Sequence, residues 1–453
     1  MTSLRGHAYP RVLLVLMTKV KAADSSNLLI RTEFGVWPKE ALAQVHATAD
    51  PPGQGEMCGY YYQLGACDRS LGTFFQRLRA HLFPMISTDE VIGIKGAESK
   101  RSIGHLWRAI KKHIGDWVVN TGFWEVVFRI CLSKPMADFI DGFKPDLVYC
   151  QGYSLGFARL PLLISQKVKI PICFQTTDDW PSRLYRWSPV GWLLRRRARE
   201  LILSAKVRLA FGEKMRQEFQ RRYSVPFEVS YHLDDSNRFK VGGSPVENVY
   251  KIVYTGSLGH RRYEAIGDLL KAVRRISGLA SRIEIIVHCS GIPKDMPLKI
   301  RQAPEVSFLP LPEHSQLPEI LAGAKVLFLP ESFNEPRRAI EYSISSKAHF
   351  YMMSGRPILV YGPVYSGTIG YALREGWGLV IAKRSTETII EILREILAGS
   401  ERVTETVRNA DRCIRQYHDL EKGRERFLQL LIGAMSEDNC SSVNPSFPTN
   451  DLI

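Results

Sequence analysis

The sequence lacks several features that would assign it quickly, and each absence excludes a class. No apolar run in the 453 residues approaches the roughly 18 needed to span a bilayer. Val12 to Met17 is short and bounded by Arg11 and Lys19, which reads as a first buried strand rather than a signal peptide. The eight cysteines form no C-x-x-C pair and no zinc spacing, so a reduced, cytosolic protein is expected. No Asp-x-Asp stands at a strand end, so no metal and no cofactor is expected. Gly-x-Ser-x-Gly, kinase and Walker patterns are missing too. The eleven histidines do not cluster, and His349 is expected to face solvent or a helix neighbour.

Acidic residues are also in deficit, 46 against 61 basic ones, a formal charge of +15. Such a balance asks for an acidic partner: nucleic acid, anionic lipid or a phosphorylated substrate. The excess gathers between Trp192 and Tyr223, where Arg195, Arg196, Arg197, Arg199, Lys206, Arg208, Lys214, Arg216, Arg221 and Arg222 meet only Glu200, Glu213 and Glu218. Leucines and an isoleucine interleave with these charges. One reading is a solvated helix face over a core stripe. The other is a basic, partly apolar surface that rests on an anionic membrane. No nucleic-acid reader motif accompanies the charge, so nucleic acid is not the expected partner.

At this length two domains are expected. The first runs over residues 1–240, with strands at Arg11–Met17, Asp146–Cys150 and Ile170–Gln175 and helical patterns at Leu71–Leu82 and Gly122–Phe143. Ala22 to Gly65 is irregular and rich in Gly, Pro and aromatics, a long loop or lid. Trp37 and Tyr60 to Tyr62 within it are either loop anchors or platforms for sugar rings. A polar stretch, Asp234 to Asn248, precedes a second domain over 241–415 with strands at Tyr250, Ile283, Val306, Lys325, Pro357 and Leu379. A closing helix over 416–436 and a disordered tail over 437–453 complete the chain. Strands alternating with helices argue for parallel sheets, whose ligands sit beyond the strand carboxyl ends.

Two segments of the second domain look prepared for an anion. In Tyr250 to Arg262 an apolar strand runs into Gly256-Ser257-Leu258-Gly259 and then a helix with apolar residues at helical spacing. Glycines let backbone amides approach an anion, and Arg262 supplies charge. In Ser345 to Pro363 a short helix opens on Ser346 and Lys347, where free N–H groups lie beside a cation. Either alone is matched by a plain turn or a plain cap. Together, within one alternating domain, they suggest a diphosphate held between them.

Lys251 to Gly259, the strand Ala324 to Pro330 and Ser346 to Pro363 follow one another in an order that resembles the donor half of the GT-B glycosyltransferases, near the GT4-type retaining group. Gln416 to Phe427 is similar to that group's closing helices, which cross back onto the first domain. The likeness covers Lys251 to Leu431 well and the first half more loosely. It implies two Rossmann-like domains facing a cleft, a nucleotide-sugar donor, retention of configuration, and a glycan, lipid-linked or other acceptor. Donor binding would fall to Gly256, Ser257, Gly259, Arg262, Glu341, Ser346 and Lys347, and the leaving diphosphate would be stabilised electrostatically.

The chain departs from that group. Its donor-domain glutamate pair would fall at Tyr342 and Phe350, neither acidic, so a ribose contact is absent or comes from Glu341 or Glu335. Its acceptor-side histidine would fall at Thr177. Asp178-Asp179-Trp180-Pro181 continues the pattern and makes Asp178 and Asp179 the candidate catalytic carboxylates, against a simpler turn cap before Pro181. The expected protein is a metal-independent glycosyltransferase, cytoplasmic or peripheral on the inner face of the cell membrane. The alternatives are a GT-B-shaped sugar-nucleotide epimerase and an inactive nucleotide- or glycan-binding module.

Overall fold

A computed structural model of the chain describes residues 9–20, 27–48, 56–70, 121–239, 249–276 and 283–436. The helical pattern at Leu71–Leu82 and the tail from 437 onward lie outside them. Two wholly parallel sheets organise the rest. The first comprises β1 (Val12–Val15), β2 (Leu42–His46), β3 (Tyr60–Gln63), β4 (Leu147–Cys150), β5 (Ile172–Thr176), β6 (Val207–Phe211) and β7 (Glu228–Ser230), in the order β3-β2-β1-β4-β5-β6-β7. The second comprises β8 (Tyr250–Thr255), β9 (Ile283–Cys289), β10 (Val306–Pro310), β11 (Val326–Pro330), β12 (Ile358–Tyr361) and β13 (Leu379–Ile381), in the order β10-β9-β8-β11-β12-β13.

Central strands read as unbroken apolar runs because helices cover both faces of a parallel sheet. Val12–Val15, Leu147–Cys150, Val326–Pro330 and Ile358–Tyr361 are buried at every position. Chain order reverses between β1 and β4 in one sheet and between β8 and β11 in the other. Such switch points leave a crevice beyond the strand carboxyl ends.

Residues 22–65, expected to be a loop or lid, instead hold the helix Leu28–Phe34 and the strands β2 and β3. Polar side chains turned inward disguised β2. Gln44, fully buried, accepts from the Val20 amide and donates to the Thr18 carbonyl. Trp37 and Tyr62 of this segment act as anchors. Trp37 is buried, donates its indole N–H to the Pro10 carbonyl and packs on Phe427. The Tyr62 hydroxyl donates to Asp68, which also caps the turn at Gly65.

The last described helix lies against the first sheet. A π-wound turn, Ile414–His418, leads into the helix Leu420–Met435, whose Phe427 meets Phe34 edge-on at 5.0 Å and whose Arg424 donates to the Thr32 carbonyl. The Asp234 amide donates to the His418 carbonyl, tying this crossing to the segment that leaves β7. No helix among the described residues is long and apolar enough to cross a membrane.

Candidate active site between the two sheets

Both crevices open onto one cleft of about 670 Å³. Residues just past β1, β4 and β5 form one wall, including Thr18, Tyr153 and Asp178, while Arg262, Glu331 and Lys347 stand opposite. A second cavity of about 740 Å³ runs from it between the helix Leu28–Phe34 and the loop after β10, lined by Leu311, His314 and Phe350 among others. Ser346 and Lys347 border both spaces.

Local geometry explains how the cations Arg262 and Lys347 reach the cleft. Gly256 follows β8 at φ +141°, a region that glycine alone enters freely. A Cβ there would lie 1.9 Å from Lys347 Cε and 2.7 Å from its Nζ, so the missing side chain is the space the lysine occupies. Burial, helped by the charge of Arg262, lowers the Lys347 pKa to about 8 against the opposing pull of Glu331. Arg262, at the start of the helix Tyr263–Arg275, donates to Glu331 at 3.3 Å. Glu331 is buried one residue past β11 and accepts from the Thr368 hydroxyl at 2.7 Å. Arg262, Glu331 and Lys347 thus form a linked set with two cations and one anion, leaving net positive charge facing the cleft.

The glycine turn contributes differently from the expectation that its amides face an anion. The Gly256 amide donates to the His288 carbonyl, and the Gly259 amide donates to the Ser257 hydroxyl. At Gly259 the backbone is ordinary and an added Cβ would meet only Ser257 Oγ, at 3.1 Å. Ser346 opens a helix of 7 residues without a side-chain cap. Glu341 does not face the cleft; it pairs with Arg337 at 2.6 Å and lies 3.9 Å from Lys214. Glu335 pairs with His260 at 2.6 Å. Glu331 was missed by sequence reasoning, although an acid directly after an apolar strand was its signal.

On the other wall the adjacent aspartates, in the bend after β5, point apart. Asp179 is buried and held by both guanidinium nitrogens of Arg222, at 2.8 and 2.9 Å. Asp178 lines the cleft, its Oδ1 buried without a partner and its Oδ2 3.2 Å from Arg183. Burial raises its pKa, against the pull of Arg183. Thr177 hydrogen-bonds the Tyr153 hydroxyl at 2.7 Å. His349, expected to face solvent or a helix neighbour, is buried between His232 and Phe350, with neither ring nitrogen partnered. Its pKa is driven well below the usual value by burial and the neighbouring histidines.

Among the described residues no group of His, Cys, Asp and Glu side chains is arranged to hold a metal ion. No family model matches the sequence, and no curated protein matches it. Solved structures do. HepE of Anabaena, in complex with UDP, superposes with a TM-score of 0.58 at 12% identity over 93% of this chain and 100% of its own. A trehalose-6-phosphate structure from E. coli bound with UDP-2-fluoro glucose gives 0.58 at 12% over 93% and 98%. WaaG, a glycosyltransferase involved in lipopolysaccharide biosynthesis, gives 0.53 at 14% over 93% and 100%. The chain therefore has the GT-B fold, with nearly all of its length engaged.

Proposed function

We propose that the protein is a glycosyltransferase that binds a nucleotide-sugar in the cleft and passes the sugar to an acceptor bound on the first sheet's side. The observation that carries this is the pairing of Arg262 and Lys347 in the cleft, with Lys347 also bordering the second cavity. A diphosphate there would send its nucleoside toward Phe350 and His314 and its sugar toward Asp178. Structures of HepE hold UDP, UDP with glucose, and UDP-glucose, which supports a nucleotide-sugar as the ligand here.

Departure of the sugar leaves charge on the diphosphate, and fixed cations in a partly dehydrated site lower the energy of that state. Arg262 and Lys347 supply this, so the proposal includes metal independence. Asp178 is the cleft-facing carboxylate on the acceptor side, and its raised pKa suits exchange of a proton with an acceptor hydroxyl. Retention of configuration rests on the resemblance alone. Phe350, where a ribose-binding glutamate would stand, makes the nucleoside end apolar.

A peripheral membrane position also belongs to this reading. Most basic residues between Trp192 and Tyr223 are committed: Arg197 to Glu200, Arg216 to Glu213, Arg221 to Glu218, Arg222 to Asp179, and Arg208 and Lys214 to backbone carbonyls. Trp192, Arg195, Arg196 and Arg199 remain exposed on one face of the helix Pro189–Ser204. Trp187, 88% exposed, and the exposed Phe123 and Trp124 adjoin it, because Ser188 donates to the Thr121 carbonyl and Tyr185 to Glu125. Exposed tryptophans beside arginines suit a membrane interface.

The test is a panel of UDP-sugars incubated with and without candidate acceptors, following UDP and sugar products. Acceptor-dependent UDP release supports transfer. Epimer formation without acceptor would make the protein an epimerase. UDP binding with no turnover of any donor would make it a binding module.

A further inference from the structure

A third, smaller opening lies beside the cleft, with a volume of about 470 Å³. Arg186, Arg195, Arg222 and Arg338 line it, with only Asp179 and Glu341 as carboxylates. Both acids are already engaged, Asp179 by Arg222 and Glu341 by Arg337. Arg186, Arg195 and Arg338 have no carboxylate partner among the described residues. They come from both halves of the molecule: Arg186 and Arg195 flank the start of the helix Pro189–Ser204, and Arg338 lies in the turn of helix Arg337–Ile340. Like charges turned toward one concavity repel, and a multiply charged anion relieves that repulsion. Guanidinium groups match phosphate oxygens in pairs.

Position says which phosphate. Asp178 and Ser343 line the cleft, and their neighbours Asp179 and Tyr342 line this opening. The opening thus adjoins the Asp178 wall of the cleft and shares no lining residue with the proposed donor subsite at Arg262 and Lys347. We propose that this opening binds a phosphate group carried by the acceptor, so that the enzyme acts on a phosphorylated acceptor, either a soluble sugar phosphate or a lipid-borne phosphate. The word acceptor rests on the glycosyltransferase reading; the phosphate site itself does not. Trp187, against which Arg186 packs its guanidinium at 4.4 Å, and the exposed Trp192 put the same site where a lipid phosphate would arrive.

The experiment measures binding to the full chain with saturating UDP present, so that the donor subsite is filled. One arm uses glucose 6-phosphate against glucose; the other uses phosphatidylcholine vesicles with and without a polyprenyl phosphate. The wild type binds a phosphorylated probe over its unphosphorylated counterpart in at least one arm, and the arm identifies the source. R186Q/R195Q/R338Q weakens that binding at least tenfold with UDP affinity unchanged, while R274Q/R402Q/R408Q, which removes equal charge elsewhere, leaves it intact. Should the triple variant fail to bind UDP, and so fail to fold, R338Q alone is expected to weaken binding at least threefold. No phosphate preference in the wild type, an equal loss in the control variant, or an unchanged affinity in R338Q would overturn the site. Failure of the wild type to bind UDP would instead count against the donor reading, and the phosphate arms are then read without it.

Discussion

At the residue scale the site depends on the protonation of one lysine. Lys347 holds its proton less firmly than a free lysine, with a pKa of about 8, because burial and Arg262 disfavour its charge. Binding a diphosphate favours the protonated form, so affinity is full below that pH and declines above it. The slope should approach a tenfold loss per pH unit, the limit for one linked proton. K347R should hold its affinity from pH 7 to 10, and titration calorimetry across that range checks both. A second buried group works on stability. Glu33 is buried, accepts from Gln175 at 2.7 Å, and has its pKa raised to about 8 by burial. Its folded pKa lies above its unfolded value, so its contribution is complete below about pH 4.5 and lost as pH rises through about 8. E33Q should flatten the fall in melting temperature across that window; an unchanged pH profile would remove Glu33 from the account.

At the scale of elements the turn after β8 offers a sharp contrast. G256A places a methyl on Lys347 and forces a non-glycine residue to φ +141°, so it should lose nucleotide binding and stability together. G259A meets only a serine hydroxyl at ordinary backbone angles and should change either by less than about 0.5 kcal/mol. Chemical denaturation with UDP titration separates the two. The sequence made the second sheet readable for the reason that it hid parts of the first. Strands such as Val326–Pro330 are continuous apolar runs, whereas β6 (Val207–Phe211) carries Arg208 within a basic stretch. That arginine turns back to the carbonyls of Ile202 and Leu203, so a charged residue ends a helix rather than marking a surface. β3 is an edge strand of half-exposed tyrosines and reads as loop. Within the site, Arg262 and Lys347 were legible because each follows a turn or serine signal. Glu331 was missed, since its one signal, an acid directly after an apolar strand, comes without a spacing that sets it apart. Asp178 and Asp179 could not be told apart until Arg222, forty-three positions from Asp179, was seen to occupy one of them.

For the whole molecule, the helix Leu420–Met435 is what returns the chain to the first sheet. Phe427 packs on Phe34, Trp37 and Tyr149 and is buried. F427A should cost about 3–5 kcal/mol, the range for emptying a buried phenylalanine site, read as a shift in denaturation midpoint. The exposed aromatic and basic face bears on where the molecule works. Sedimentation with anionic vesicles should carry the wild type down at low salt and release it at high salt, because screening acts over about 10 Å at 0.1 M. R195Q/R196Q/R199Q should bind less, and equal binding to neutral vesicles would return this face to a solvated surface.

The account stands on a diphosphate between Arg262 and Lys347, and UDP titration into wild type, R262A and K347A with EDTA present tests it most directly. Wild type should bind without a divalent ion, and each substitution should weaken binding by about 1.5–3 kcal/mol, the range for hydrogen bonds to charged groups. Unchanged affinity in both variants, or binding that appears only when magnesium or manganese is restored, would contradict it.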